Sequence, residues 1–177
     1  MIHAAYSQPD LSRFAEPDRY KFLMGTVIPR PIALVTSLSR EGVLNAAPFS
    51  QFVVISVTPS LLGFVAHESE NGLKDTVRNV LESGEYVINT VSERMAAQVQ
   101  DCSKSFPRSV SEVAEVGFHT LPSTLVRPSR IAESPVHFEC RLQRTTEFGD
   151  EGSRTHLIVA EIVAVHCAEG EIGRAHV

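Results

Sequence analysis

Four short apolar runs, at residues 32–37, 43–47, 52–57 and 61–66, follow one another with only turn residues between them. Each is rich in Val, Ile, Leu and Phe and too short for a helix. Pro29 and Pro31 punctuate the entry to the first run, and Ser39, Arg40, Glu41 and Gly42 suit a hairpin turn with glycine where φ is positive. The third run reads as a buried strand ended by Pro59. A doubly wound parallel sheet needs a crossover helix between successive strands. The spacing excludes that arrangement and leaves an antiparallel one.

The strongest helical period follows. Asn71 is the expected cap, Leu73, Val77, Val80 and Leu81 share a face, and Gly84 is the stop. Residues 86–91 return to strand, and 93–103 form a weaker helix through Met95, Val99 and Cys102. Residues 105–135 hold little periodicity and read mostly as loop. Val136, Phe138, Cys140 and Leu142 then alternate with His137, Glu139, Arg141 and Gln143, the pattern of a strand with one wet face. Residues 156–167 are apolar enough for a strand covered on both sides. About seven strands and two or three helices result. An antiparallel barrel is the economical closure, because rolling up the sheet removes its edges.

The 177 residues suit one domain, with a core that needs no staple. Residues 1–19 read as a polar leader that packs loosely or across a partner subunit, and 20–170 as the domain. Residues 171–177, EIGRAHV, look like a translated sequencing adapter. They are expected to be non-native, with the natural chain continuing past about Gly170. A net charge of −5 argues against a broad nucleic-acid surface. No apolar stretch nears the ~20 residues of a membrane helix, and no signal-peptide layout opens the chain, so the expected place is the cytoplasm. Cys102, Cys140 and Cys167 are scattered and read as reduced packing residues. Neither they nor the histidines form a metal signature, and there is no nucleophile elbow, P-loop or Rossmann fingerprint.

Two segments are polar where plain strand or turn is expected. Asn45, Ala46, Ala47, Pro48, Phe49 and Ser50 form a small-residue stretch. It fits either a bend at a barrel corner or a place where backbone groups approach a flat ligand. Residues 67–76, HESENGLKDT, lead into the helix. Its N-terminal N–H groups and dipole attract an anion, and Lys74, Asn71 and Thr76 supply further donors. The same stretch also fits an ordinary capped helix, since Glu68, Glu70 and Asp75 oppose an anion.

Taken together, these blocks resemble a known family. The carrying residues are PRPIALVT at 29–36, GVLNAAPFS at 42–50, KDTVRN at 74–79 and GEYVIN at 84–89, with Ser134 and Pro135 in the second half. In order and spacing they are similar to the flavin reductase-like, FMN-binding split-barrel proteins, in the branch that includes flavoredoxin. Coverage runs from about Tyr20 to Ala168.

The resemblance implies a mainly β fold. This is a split β-barrel, antiparallel and of Greek-key type, with two or three peripheral helices. It implies a homodimer with one FMN per subunit and NADH or NADPH as donor. Hydride would pass to flavin N5 and electrons to a small-molecule substrate or redox partner. Asn45, Ala46, Ala47, Pro48, Phe49 and Ser50 would line the flavin. Asn71, Lys74, Asp75 and Thr76 would meet its phosphate, with His67 beside the pocket and Thr36 and Ser37 facing it. No protein nucleophile and no metal are expected, because the cofactor carries the chemistry. The family commonly extends beyond the last strand, which this sequence lacks. Two rivals stand beside this reading: an FMN electron carrier reduced by a partner protein, and a barrel that binds an apolar ligand.

Overall fold

The computed structural model describes residues 7–68, 72–150 and 154–171, and the chain falls into two compact units, Met1–Arg30 and Pro31–Val177. In the first unit, Asp10 caps a 3-10 turn at Leu11–Arg13. Helix α1, Glu16–Thr26, follows, with Pro17 near its start and Glu16 and Asp18 in the first turn, as the helix dipole favours. Arg30 donates to the carbonyls of Met24 and Val27 near the helix C-terminus. The expected loose leader therefore contains helix, and α1 runs across residue 19.

The second unit contains β1 (Ala33–Leu38), β2 (Leu44–Phe49), β3 (Phe52–Ser56), β4 (Leu61–His67), α2 (Asp75–Ser83), β5 (Glu85–Thr90), α3 (Ala96–Asp101), α4 (Glu112–Glu115), β6 (Thr120–Leu121), β7 (Arg130–Ile131), β8 (Val136–Phe148) and β9 (Thr155–Cys167). Seven strands form one antiparallel sheet in the order β2-β1-β5-β8-β9-β4-β3, and β6 pairs with β7. Strands β2 and β3 sit at opposite edges, yet only Ser50 and Gln51 separate them in sequence. Three Cα–Cα steps reach at most ~11 Å, whereas six strand spacings of ~4.8 Å would part the edges by ~29 Å in a flat sheet. The sheet must therefore roll up. Phe49 of β2 packs on Phe64 of β4 with ring centroids 4.7 Å apart, and Val65 N–H donates to Gln51 O at 2.9 Å.

Alternation along the strands sorts side chains between two cores. Val35, Phe49, Phe64, Tyr86, Ile88 and Ile158 fill one together with Val77 and Val80 of α2. Leu34, Ala46 and Ile131 join Met95, Val99 and Val113 in the other, on the far face of β1 and β2. Gly84 ends α2 at φ 71°, as expected. Helix α2 begins later than expected, with Lys74 at the N-cap; Asn71 lies outside the described residues. Leu81, assigned to the buried face, is 44% exposed.

Three burial expectations are corrected. Strand β3 is an edge strand paired only with β4, and Val53, Val54 and Ile55 are 52%, 64% and 44% exposed. Strand β9 alternates buried and half-buried residues only over 155–160 and is half-buried to exposed from Glu161 on, instead of being covered on both sides. The expected wet face of β8 is partly dry: Glu139 is 0% and His137 5% exposed. The physical reason is the aperiodic segment before β8, which folds over that face and supplies donors. Glu139 accepts from the amides of Thr124 (2.7 Å), Leu125 (2.6 Å) and Val126 (3.2 Å), from the Thr124 hydroxyl (2.9 Å) and from His166 Nε2 (2.7 Å). Burial alone would raise its pKa, but these hydrogen bonds outweigh it and hold the carboxyl at about 2.

Glu139→Gln turns an NH₂ group toward this set of donors. It should cost about 3 kcal/mol, or about 6–12 °C of Tm for a chain of this size. A carboxyl with a depressed folded pKa stabilises the fold above its ordinary value of 4.5 and loses that stabilisation as pH falls toward about 2. The deficit of the variant should accordingly narrow below about pH 4.5, which thermal melts at pH 7, 4.5 and 3 will measure. A deficit constant across that range would refute the ionised-carboxylate account.

Candidate functional site

The edge strand β2 and the N-terminus of α2 face each other across a cleft of about 500 Å³. Asn45, Ala47 and Pro48 form the β2 wall, and Leu73, Lys74, Asp75, Thr76 and Arg78 the α2 wall. A third wall, not anticipated from sequence, comes from residues 102–106 and Glu112. Asn45 Nδ2 donates to Thr76 Oγ1 at 2.9 Å, which joins the two segments directly. A smaller hollow of about 350 Å³, beside Arg94, Gln98 and Glu133, holds none of the expected residues.

The cleft's charges are arranged for an anion at one point. The Asp75 carboxylate pairs with Arg78 at 3.6 Å, and the Lys104 ammonium pairs with Asp101 at 2.7 Å. Glu112 accepts from Ala46 N–H at 3.1 Å. Burial raises its pKa, and Asp75 adds to that rise. Lys74 has no carboxylate within 4.0 Å among the described residues; its ammonium lies over the Phe49 ring, 5.7 Å from the centroid. The residue is exposed, yet the protein around its ammonium removes enough water to lower its pKa. The Lys74 side chain makes no capping hydrogen bond, so the first N–H groups of α2 keep their attraction for an anion.

Other expected site residues lie elsewhere. Thr36 and Ser37, expected to face the pocket, are fully buried. Thr36 Oγ1 donates to Ser129 O at 2.7 Å, and Ser37 Oγ accepts from Asn79 Nδ2 at 3.2 Å. On opposite faces of β1, they tie the sheet to the elements that cover it, Thr36 to the segment before β7 and Ser37 to α2. Ala46 and Phe49 are also buried and do not line the cleft: Ala46 packs in the far-face core, and Phe49 lies beneath the Lys74 ammonium. Ser50 is half-buried in the link to β3. His67 lies outside the cleft walls; its Nε2 meets Gln51 Oε1 at 2.6 Å and its Nδ1 meets Thr155 Oγ1 at 3.0 Å. Burial first, then Lys74, lowers its pKa, so the ring is neutral at pH 7.

The remaining cleft groups are poor reagents. Burial, then Glu112 and Asp101, pushes the Cys102 thiol up to about 12, and burial does the same for Cys140. Neither is a thiolate at neutral pH. Cys102 and Cys140 are the expected packing residues, whereas Cys167 is exposed. No cluster of three metal-ligating side chains occurs among the described residues. The donor set thus suits binding of a phosphorylated, flat ligand: small side chains and backbone on one wall, one uncommitted ammonium and a helix N-terminus on the other. Among the missed residues, Arg78 was legible as the next turn of α2 from Lys74. Lys104, Phe106 and Glu112 carried no periodic signal.

Comparison with known proteins places the chain among flavin reductase-like proteins. A family profile described as flavin reductase like domain matches residues 24–175. An uncharacterized protein of Bacillus subtilis is 40% identical over 154 residues, 86% of this chain and 75% of its own length. The 2-nitrobenzoate 2-nitroreductase of Pseudomonas fluorescens is 34% identical with a TM-score of 0.85, over 96% of this chain and 80% of that one. Nitrilotriacetate monooxygenase component B from Bacillus cereus is 29% identical with a TM-score of 0.93, over 99% of this chain and 88% of that one.

Proposed function

The chain belongs to the flavin reductase-like family, and from that premise we propose that it is an NAD(P)H-dependent flavin oxidoreductase holding FMN between β2 and α2. The observation that carries this reading is the convergence of Asn45, Ala47 and Pro48 with Lys74, Asp75 and Thr76 on one cleft. When bound, the flavin supplies hydride acceptance from the nicotinamide at N5 and release of electrons to an acceptor. The chain's own task is to bind and orient. Lys74 and the first turn of α2 take the phosphate. Ala47 and Pro48 leave a low wall against which a flat ring can lie, and Pro48, without an N–H, has no amide to leave unpaired there. Phe49 holds the Lys74 ammonium in place from below.

The same reading includes a homodimer in the cytoplasm. Strand β3 supports the dimer: it is an edge strand with apolar residues exposed on both faces, a surface that association covers. Among the described residues no helix is long and apolar enough to cross a membrane.

Purified protein titrated with FMN should shift the flavin absorbance bands, and NADH or NADPH added under anaerobic conditions should bleach them without another protein. Binding without bleaching until a reductase is added would identify an electron carrier instead, and no binding would sink the flavin reading. Lys74→Ala should weaken FMN by about tenfold or more, a charge-assisted hydrogen bond contributing roughly 1.5–3 kcal/mol. Riboflavin, which lacks the phosphate, should bind the variant and the wild type alike; equal losses for both ligands would remove Lys74 from the phosphate site. Sedimentation should give twice the chain mass for the wild type and a monomer for Val54→Asp, whereas a wild-type monomer would refute the β3 interface.

A further inference from the structure

Strand β2 is an edge strand, so every second residue turns its backbone N–H and C=O away from β1. The register pairs Asn45 with Ser37 and Ala47 with Val35, and Pro48 has no N–H, which makes Leu44, Ala46 and Pro48 the outward-facing set. These outward groups are not left to solvent. Ser111 Oγ donates to Leu44 O at 2.5 Å, and Ala46 N–H donates to Glu112 Oε2 at 3.1 Å. Two consecutive residues at the start of α4 therefore stand in for a missing neighbouring strand, and they stop where the cleft begins. Glu112 itself lines that cleft beside Ala47 and Pro48. Its carboxylate is half-buried and is answered by an amide, with no cation within 4.0 Å among the described residues.

We propose that Glu112 is a positioning residue of the cleft: by holding the Ala46 amide it fixes the edge of β2, and with it the Ala47–Pro48 wall on which the flavin lies. The proposal rests on the flavin reading above and deepens it. A residue with this role acts through backbone, so its carbonyl oxygen matters and its charge does not.

The test uses the whole chain and two readouts, hydrogen exchange of the flavin-free protein and FMN titration. Glu112→Ala should speed exchange in peptides covering residues 43–50 while those covering α2 stay at the wild-type rate. It should weaken FMN at least about fivefold, the scale of one unsatisfied buried donor. Glu112→Gln retains a carbonyl acceptor and should recover most of both effects. Glu115→Ala, an exposed change on the same helix, should leave both unchanged. Exchange that rises throughout the chain in Glu112→Ala would mean a general stabilising role and would overturn the proposal, as would FMN affinity equal to wild type. A wild type that takes up no flavin would overturn the functional reading as well, so the two failures are distinct.

Discussion

Ser50 and Gln51 are all the chain that joins the two outer strands of a seven-stranded sheet. That shortness is a geometric constraint on everything else in the unit, because the link spans about a third of the width a flat sheet would have. Rolling up brings β2 against the middle of β4, where Phe49 meets Phe64. The chain leaving β4 then runs into α2, so the N-terminus of that helix arrives beside β2. The two polar segments at 45–50 and 67–76 thereby supply opposite walls of one cleft. The Asn45–Thr76 hydrogen bond and the Lys74–Phe49 contact are consequences of that closure.

Rolling up leaves two edges that behave differently. On the β2 edge, the outward groups of Leu44 and Ala46 are taken by Ser111 and Glu112, and Pro48 has no donor to satisfy. On the β3 edge, Val53, Val54 and Ile55 stay exposed. One edge is thus finished within the chain, and the other keeps the apolar character of an unfinished interface. A hydrophobic run read from sequence alone cannot distinguish these outcomes, which is why residues 52–57 read as buried. Their composition is that of a covered strand; only the strand order shows that β3 is an edge, with Val53, Val54 and Ile55 exposed.

The first four strands were legible as short apolar runs separated by turn residues, and α2 because Val77 and Val80 keep helical period up to Gly84, whereas β6 and β7 lie in a segment that read as loop. The two walls of the cleft were legible too, as polar interruptions of an otherwise apolar pattern, although only the family resemblance joined them. What stayed hidden came from the aperiodic segment between α3 and β8. Hydropathy assigns Glu139 to solvent, since a carboxylate is rarely buried unless its acceptor sites are filled. They are filled here by backbone amides of Thr124, Leu125 and Val126, and amides have no sequence signature. Thr36 and Ser37 entered the pocket only through the resemblance; in the structure their hydroxyls bond Ser129 and Asn79.

An acidic chain, at net −5, with a cleft proposed to hold an anionic cofactor calls for a physical account. Net charge acts over a Debye length of ~8–10 Å and is screened, whereas a bound phosphate answers to groups within hydrogen-bonding reach. At that range the balance in the cleft is positive. Asp75 is spent on Arg78, and Glu112 is spent on an amide while burial favours its neutral form. Among the described residues Lys74 has no carboxylate within 4.0 Å, and it rests on an aromatic face, which positions the ammonium without neutralising it. A carboxylate partner would have fixed the same side chain more tightly and cancelled its field. The aromatic support, together with an α2 N-terminus that the Lys74 side chain does not cap, keeps the local attraction intact in a protein whose overall charge opposes it.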